Sequence, residues 1–287
     1  MPRIPEPGER VPLLIDTDAG CECDDQYAIA LAIHAPDRFD IQGFVATHFG
    51  DRPESIAEAK AEIERVLEKS GMLGRWPVAE GGWPMAFSGV PSESDGVELI
   101  IDRAKRHTPD NPMWIMILGP TTNTASAIVK APEICDRIAI LFHGRTQFWP
   151  RLASNNNVQK DLTATRVLYR CQAPFVLFDT GTHLHVSVED TERHLAPCGE
   201  IGAYLHELRM ANPFRRTMKK GFFDLGDAAF LLDPSLGRWE ETETPELTME
   251  STCDWTTTHG PMLRVYEIDN ARTWRLLFQR LKTGRTE

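Results

Sequence analysis

Positive charge is in short supply in this chain. Lys and Arg number 31 against 42 Asp and Glu, a formal net charge of −11. Binding a nucleic-acid backbone needs clustered cationic side chains, so no nucleic-acid partner is expected; metal cations and small neutral substrates suit this balance better. Long apolar runs are also missing. The purest, residues 28–33 and 113–118, fall far below a spanning length, so no membrane partner is expected. The first ten residues hold three prolines and charges of both signs, without the apolar stretch of a signal peptide. Six cysteines, at positions 21, 23, 135, 171, 198 and 253, form no Cys-x-x-Cys pair and no disulfide framework. A soluble chain in a reducing, cytoplasmic compartment is the expectation. There is no Gly/Ser linker, internal repeat or low-complexity tract, so residues 1–287 read as one domain.

What is present is ordinary globular material, 41% hydrophobic and 25% charged. A chain this long buries roughly 75% of its unfolded surface, enough for a large core and a water-excluding pocket. Apolar runs at 11–16, 41–47, 113–118, 138–142 and 174–178 read as buried strands. Amphipathic segments at 25–34, 53–70, 96–107, 122–130, 161–171 and 200–210 read as helices between them. Residues 240–250 are acidic and read as a surface connection. A late strand at 262–268 and a closing helix at 271–281 follow. Strands alternating with helices predict an α/β fold with a mainly parallel central sheet, open and Rossmann-like, flanked by helices. Ligands in such sheets bind beyond the carboxyl ends of the strands.

The densest chemistry follows the first strand. Asp16, Asp18, Glu22, Asp24 and Asp25 crowd ten positions. Like charges this close raise one another's pKa unless a cation sits among them. Hard oxygen donors on a loop suit Ca²⁺ or Mg²⁺ rather than zinc. Helix capping could account for Asp25, but leaves Asp16 and Asp18 without a reason.

Asp16-Thr17-Asp18-x-Gly20, then Asp24-Asp25 and Ala28-Ile29-Ala30, resembles the signature of the inosine-uridine-preferring nucleoside hydrolase family, usually Asp-Thr-Asp-Pro-Gly-x-Asp-Asp. Ala19 stands for the proline, and two extra residues precede the paired aspartates. Leu118-Gly119-Pro120-Thr121-Thr122-Asn123 is similar to the family's Leu-Gly-Pro-Leu-Thr-Asn turn. Asn157-x-x-x-Asp161 and Gly226-Asp227-Ala228 follow in the family's order.

The resemblance implies a nucleoside hydrolase fold and a calcium-dependent hydrolase acting on the N-glycosidic bond of a ribonucleoside or related ribosyl compound. It implies Ca²⁺ held by Asp18, Asp25, Asp227 and the backbone carbonyl of Leu118. Asp18 would be the general base that activates water. Asp24 and Asn157 would bind the sugar. It also implies a homodimer or homotetramer. Four positions depart from the family pattern. Gly226 stands where a histidine helps protonate the leaving base, and Trp149 where a sugar-binding Asn often stands. Asn155 replaces a Glu near the sugar 5′ side, and Asp51 replaces the Asn of a Gly-Asn turn. These four place the change at the substrate end of the site and leave the metal end intact. Trp83, Phe148 and Trp149 are aromatics that could stack on a base. His48, His143 and the pair His183-x-His185 read as structural or solvent-facing.

Two other readings stay open. Ile15-Asp16-Thr17-Asp18, with Lys219 or Lys220 and Gly226-Asp227, resembles a haloacid dehalogenase-type phosphatase, which would use Asp16 as nucleophile with Mg²⁺. It leaves Asp24-Asp25 and the turn after Leu118 unexplained. The other is a non-catalytic protein that keeps the calcium-dependent nucleoside or sugar site without turnover.

Overall fold

The apolar runs become the inner strands of one sheet. The computed structural model describes residues 2–144, 149–153, 155–211 and 220–283. Its strands are β1 (Val11–Thr17), β2 (Phe39–Ala46), β3 (Val78–Glu80), β4 (Met113–Ile117), β5 (Ile138–Phe142), β6 (Phe175–Phe178), β7 (Gly237–Leu247) and β8 (Cys253–Ile268). They lie in the order β3-β2-β1-β4-β5-β6-β8-β7. All neighbours are parallel except β7, which runs antiparallel to β8. Every residue of β1, β4, β5 and β6 is buried, as strands covered on both faces require.

The helices of the described residues are α1 (Asp24–Ile33), α2 (Glu54–Lys69), α3 (Asp95–Ala104), α4 (Thr122–Lys130), α5 (Asn156–Lys160), α6 (Leu162–Tyr169), α7 (Val188–His194), α8 (Gly199–Met210), α9 (Phe223–Leu232) and α10 (Asn270–Thr283). Alternate strand residues feed two separate cores. Leu13, Ile15 and Met116 pack with α1, α2, α8, α9 and α10. Leu14, Ile115 and Ile117 pack with α3, α4 and α6. The period of two along each strand makes this division.

One expectation is corrected here. Most of residues 240–250, read as a surface connection, is strand β7. It is an edge strand, paired on one side only, and it exposes Glu240, Glu241 and Glu243. Charge on an edge blocks pairing with another chain, and it also removes the apolar run by which a strand is recognised.

The strand order decides where a ligand can bind. From β1 the chain builds outward through β2 and β3; from β4 it builds the other way through β5 and β6. The connections therefore diverge between β1 and β4, and a crevice opens beyond their carboxyl ends.

Candidate active site at the strand switch point

That crevice is a cavity of about 300 Å³, at the small end of known ligand pockets. Asp18 follows β1, Leu118 follows β4 and His143 follows β5. Asp24 and Asp25 come from the first turn of α1, Asn155 to Asn157 from the start of α5, and Phe223 and Asp224 from the first turn of α9. Helix N-termini facing a pocket favour negative groups there.

The carboxylates are packed together and buried. Oxygens of Asp24, Asp25 and Asp224 lie within 4.8 Å of one another, and all three residues are buried. Burial raises the pKa of Asp18, while the charge and hydrogen bond of Lys160 oppose it. Burial and the neighbouring Asp18 and Asp24 push Asp25 well above the usual carboxylate range. Burial, then Asp24 and Asp25, does the same to Asp224. This is the electrostatic setting that a divalent cation relieves. The donors are all carboxylate oxygens, with the Leu118 carbonyl on the same wall, so they fit a hard cation such as Ca²⁺ or Mg²⁺.

The segment 223–228 departs from the sequence reading. Asp227 lies one helical turn deeper than Asp224 and does not line the cavity; its Oδ2 is 2.7 Å from His143 Nδ1. Burial raises its pKa to about 6, with His143 holding it back. Asp224 is the acid of this helix that meets Asp24 and Asp25. Gly226 faces the core: a Cβ there would sit 2.8 Å from the Phe178 ring. Phe223 is the residue that lines the cavity beside Asp224. Helical spacing of three puts Asp224 and Asp227 on one face, so only the start of the helix decides which one reaches the pocket.

Asn157 braces the floor. Its Nδ2 donates to the carbonyl oxygens of Leu118 (2.6 Å) and His143 (3.1 Å), tying together the ends of β4 and β5. Asn155 also lines the cavity, but its side-chain oxygen caps α5 by accepting from Val158 N at 2.8 Å. Asp161 caps α6 and accepts from Thr122 Oγ1 at 2.7 Å. Asp51 is exposed and outside the cavity lining. Trp149 packs edge-on against Trp255 with the Arg264 guanidinium 5.2 Å from its ring, also outside the lining. Trp83 is partly exposed beside His48. Phe148 and Lys219 lie outside the described residues.

Among the histidines, His143 is buried in the cavity wall on Asp227, so of the structural and solvent-facing readings only the structural one fits it. With Asp224 and Asp227 it makes a second close triad that shares Asp224. His48 is buried on Thr122 Oγ1 at 2.8 Å, and burial lowers its pKa to about 4. His183 and His185 bond separate backbone carbonyls, Ile268 and Lys220. Lys160, which the sequence reading missed, bonds Asp18, and Lys220, named there only for the phosphatase reading, bonds Glu22 and Asp24.

Residues 13–275 match the family described as inosine-uridine preferring nucleoside hydrolase. The chain belongs to this family. As a nucleoside hydrolase it is a glycosidase, cleaving the N-glycosidic bond of ribonucleosides, and the phosphatase reading falls away. A pyrimidine-specific ribonucleoside hydrolase of Escherichia coli O1:K1 is 26% identical to it, over 82% of this chain and 85% of its own. One from Citrobacter koseri is 26% identical over 82% and 84%. Among solved structures, a plant nucleoside hydrolase shares the fold with TM-score 0.78 at 18% identity, covering 96% of this chain and 99% of its own. A purine-preferring ribonucleoside hydrolase from Gardnerella vaginalis gives 0.72 at 20% identity, covering 95% and 98%. No helix among the described residues of this hydrolase is long and apolar enough to cross a membrane.

Proposed function

We propose that this hydrolase binds a ribonucleoside in the cavity at the ends of β1 and β4 and hydrolyses it with Asp18 as general base and Ca²⁺ as cofactor. The observation that carries this reading is the convergence of Asp18, Asp24 and Asp25, from the loop after β1, with Asp224, some 200 residues away, as buried carboxylates in one cavity. Asp18, Asp25, Asp224 and the Leu118 carbonyl would hold the cation, with Asp224 taking the part first expected of Asp227. A bound Ca²⁺ would make a coordinated water easier to deprotonate.

The chain's own groups supply the rest. Asp18 lines the cavity, where its carboxylate would take the proton from the attacking water. Charge develops on the sugar as the glycosidic bond stretches, and the fixed carboxylates stabilise this oxocarbenium-like state. Asp24 and Asn157 line the cavity, where they would meet the sugar hydroxyls, while Phe223 gives the cavity an apolar wall. We also place the enzyme in the cytoplasm as a single domain that forms a homodimer or homotetramer. Its free cysteines and the family resemblance support that placement.

The test is reducing-sugar release from a panel of purine and pyrimidine ribonucleosides, before and after chelation of divalent ions. Sugar release that chelation abolishes and added Ca²⁺ restores is expected. Affinity for a nucleoside without any sugar release would overturn the catalytic role of Asp18 and support the non-catalytic binder.

A further inference from the structure

Two of the cavity carboxylates already hold a cation from the chain itself. Lys160 Nζ is 2.5 Å from Asp18 Oδ2 and 3.3 Å from Cys21 Sγ. Side-chain exposure is only 10% for Lys160 and 6% for Asp18, so solvent ions screen this pair little. Lys220 Nζ is 2.9 Å from Asp24 Oδ1 and also bonds Glu22. Asp25 differs: its bonded partner is the neutral Thr17 hydroxyl, at 2.5 Å.

The backbone around Lys160 is held in place. It ends α5, whose first turn is capped by Asn155 and braced by Asn157 to the ends of β4 and β5. Asp161, the next residue, is fixed by Thr122 and by the backbone of Met85 and Ala164. The ammonium therefore reaches Asp18 from a rigid base, and Cys21 gives it a second contact.

We propose that Lys160 is a positioning residue that competes with the divalent cation for Asp18 and so sets the ion affinity of this hydrolase. This rests on the reading that Asp18 helps to hold the cation. One carboxylate oxygen cannot bond an ammonium and a divalent ion at full strength together, because the two cations repel. In the ion-free protein Lys160 keeps Asp18 oriented and partnered. When the ion enters, the ammonium must retreat from Oδ2 or tolerate a like charge beside it.

The test uses the full chain and Ca²⁺ alone, without nucleoside. Isothermal titration calorimetry would compare wild type, Lys160→Met and Lys160→Arg. Removing a unit charge this close should tighten Ca²⁺ binding at least about tenfold in Lys160→Met. Lys160→Arg keeps the charge and should bind as wild type does. Lys160→Met should also melt at a lower temperature without Ca²⁺ and recover when it is added. If Lys160→Met is unfolded without the ion, Lys160→Gln, which can still hydrogen-bond Asp18 but carries no charge, takes its place in the calorimetry with the same expected tightening. Equal or weaker Ca²⁺ binding by Lys160→Met overturns the role of Lys160 and leaves the ion site standing. No Ca²⁺ binding by any folded variant, wild type included, overturns the ion site and the proposal with it.

Discussion

His143, in the cavity wall, and Asp227, behind it, form a buried pair, Nδ1 to Oδ2 at 2.7 Å, with side-chain exposures of 6% and 0%. The second oxygen of Asp227, Oδ1, has no hydrogen-bond partner among the described residues. His143→Ala would strip the carboxylate of the contact that offsets its burial. The expected cost is about 2–4 kcal/mol of stability, read from urea denaturation. Asp227→Asn should cost less, because an amide needs no counter-charge. A His143→Ala midpoint equal to wild type would mean that the pair contributes nothing.

Asp18 and Asp25 should separate by what each removes. Asp18→Asn keeps the shape and a carbonyl donor but loses the base, so kcat should fall roughly 10²–10⁴-fold with the fold intact. Asp25→Ala removes a buried carboxylate between Thr17 and the cavity, and should abolish Ca²⁺ binding and activity together. Steady-state kinetics and calorimetry on the same preparations check both. Normal activity in Asp25→Ala would break the site assignment.

Gly119 is the only residue type that fits between Asp18 and Thr47. A Cβ at this position would meet Asp18 Oδ1 at 2.8 Å and Thr47 Cγ2 at 2.7 Å. Gly119→Ala must push the Asp18 carboxylate and the Thr47 methyl aside, at a cost of about 1–3 kcal/mol. Activity should fall more than this stability loss explains, because the displaced group is the proposed base. The comparison is kcat measured at a temperature where thermal melts show the variant fully folded.

Acid should weaken the β7–β8 ribbon through Glu246. Hydrogen bonds from Arg170, then His259 and Arg166, hold its carboxyl at about 2, below the usual 4.5. A depressed folded-state pKa adds stability that is complete above about 4.5 and lost as pH falls through about 2. Wild type should exceed Glu246→Gln by up to about 1 kcal/mol at neutral pH, since the cluster is near the surface and screened. That gap should close between these two pH values in chemical denaturation series. A gap that stays constant down to pH 2 would rule out the carboxylate as its source.

Much of this was legible in the chain. Buried parallel strands are apolar without interruption, so β1, β4, β5 and β6 show themselves as runs. The acidic loop after β1 is legible because carboxylates so dense have few structural uses. Edge strand β7 is not, because its outward charges hide the strand period. Strand β3 is three residues long and leaves too little pattern to read.

The sequence by itself determined the buried strands of the sheet, most of its flanking helices and the acidic loop at the end of the first strand, since hydrophobic period and local charge density are properties of neighbouring residues. Only the tertiary structure decided the partners of that loop. Whether Asp224 or Asp227 enters the cavity depends on where α9 begins, and the two stand three residues apart on one helical face. That Lys160 meets Asp18 across 142 positions depends on how α5 docks against the ends of β4 and β5. Contacts this distant arise from packing geometry, which no local pattern encodes.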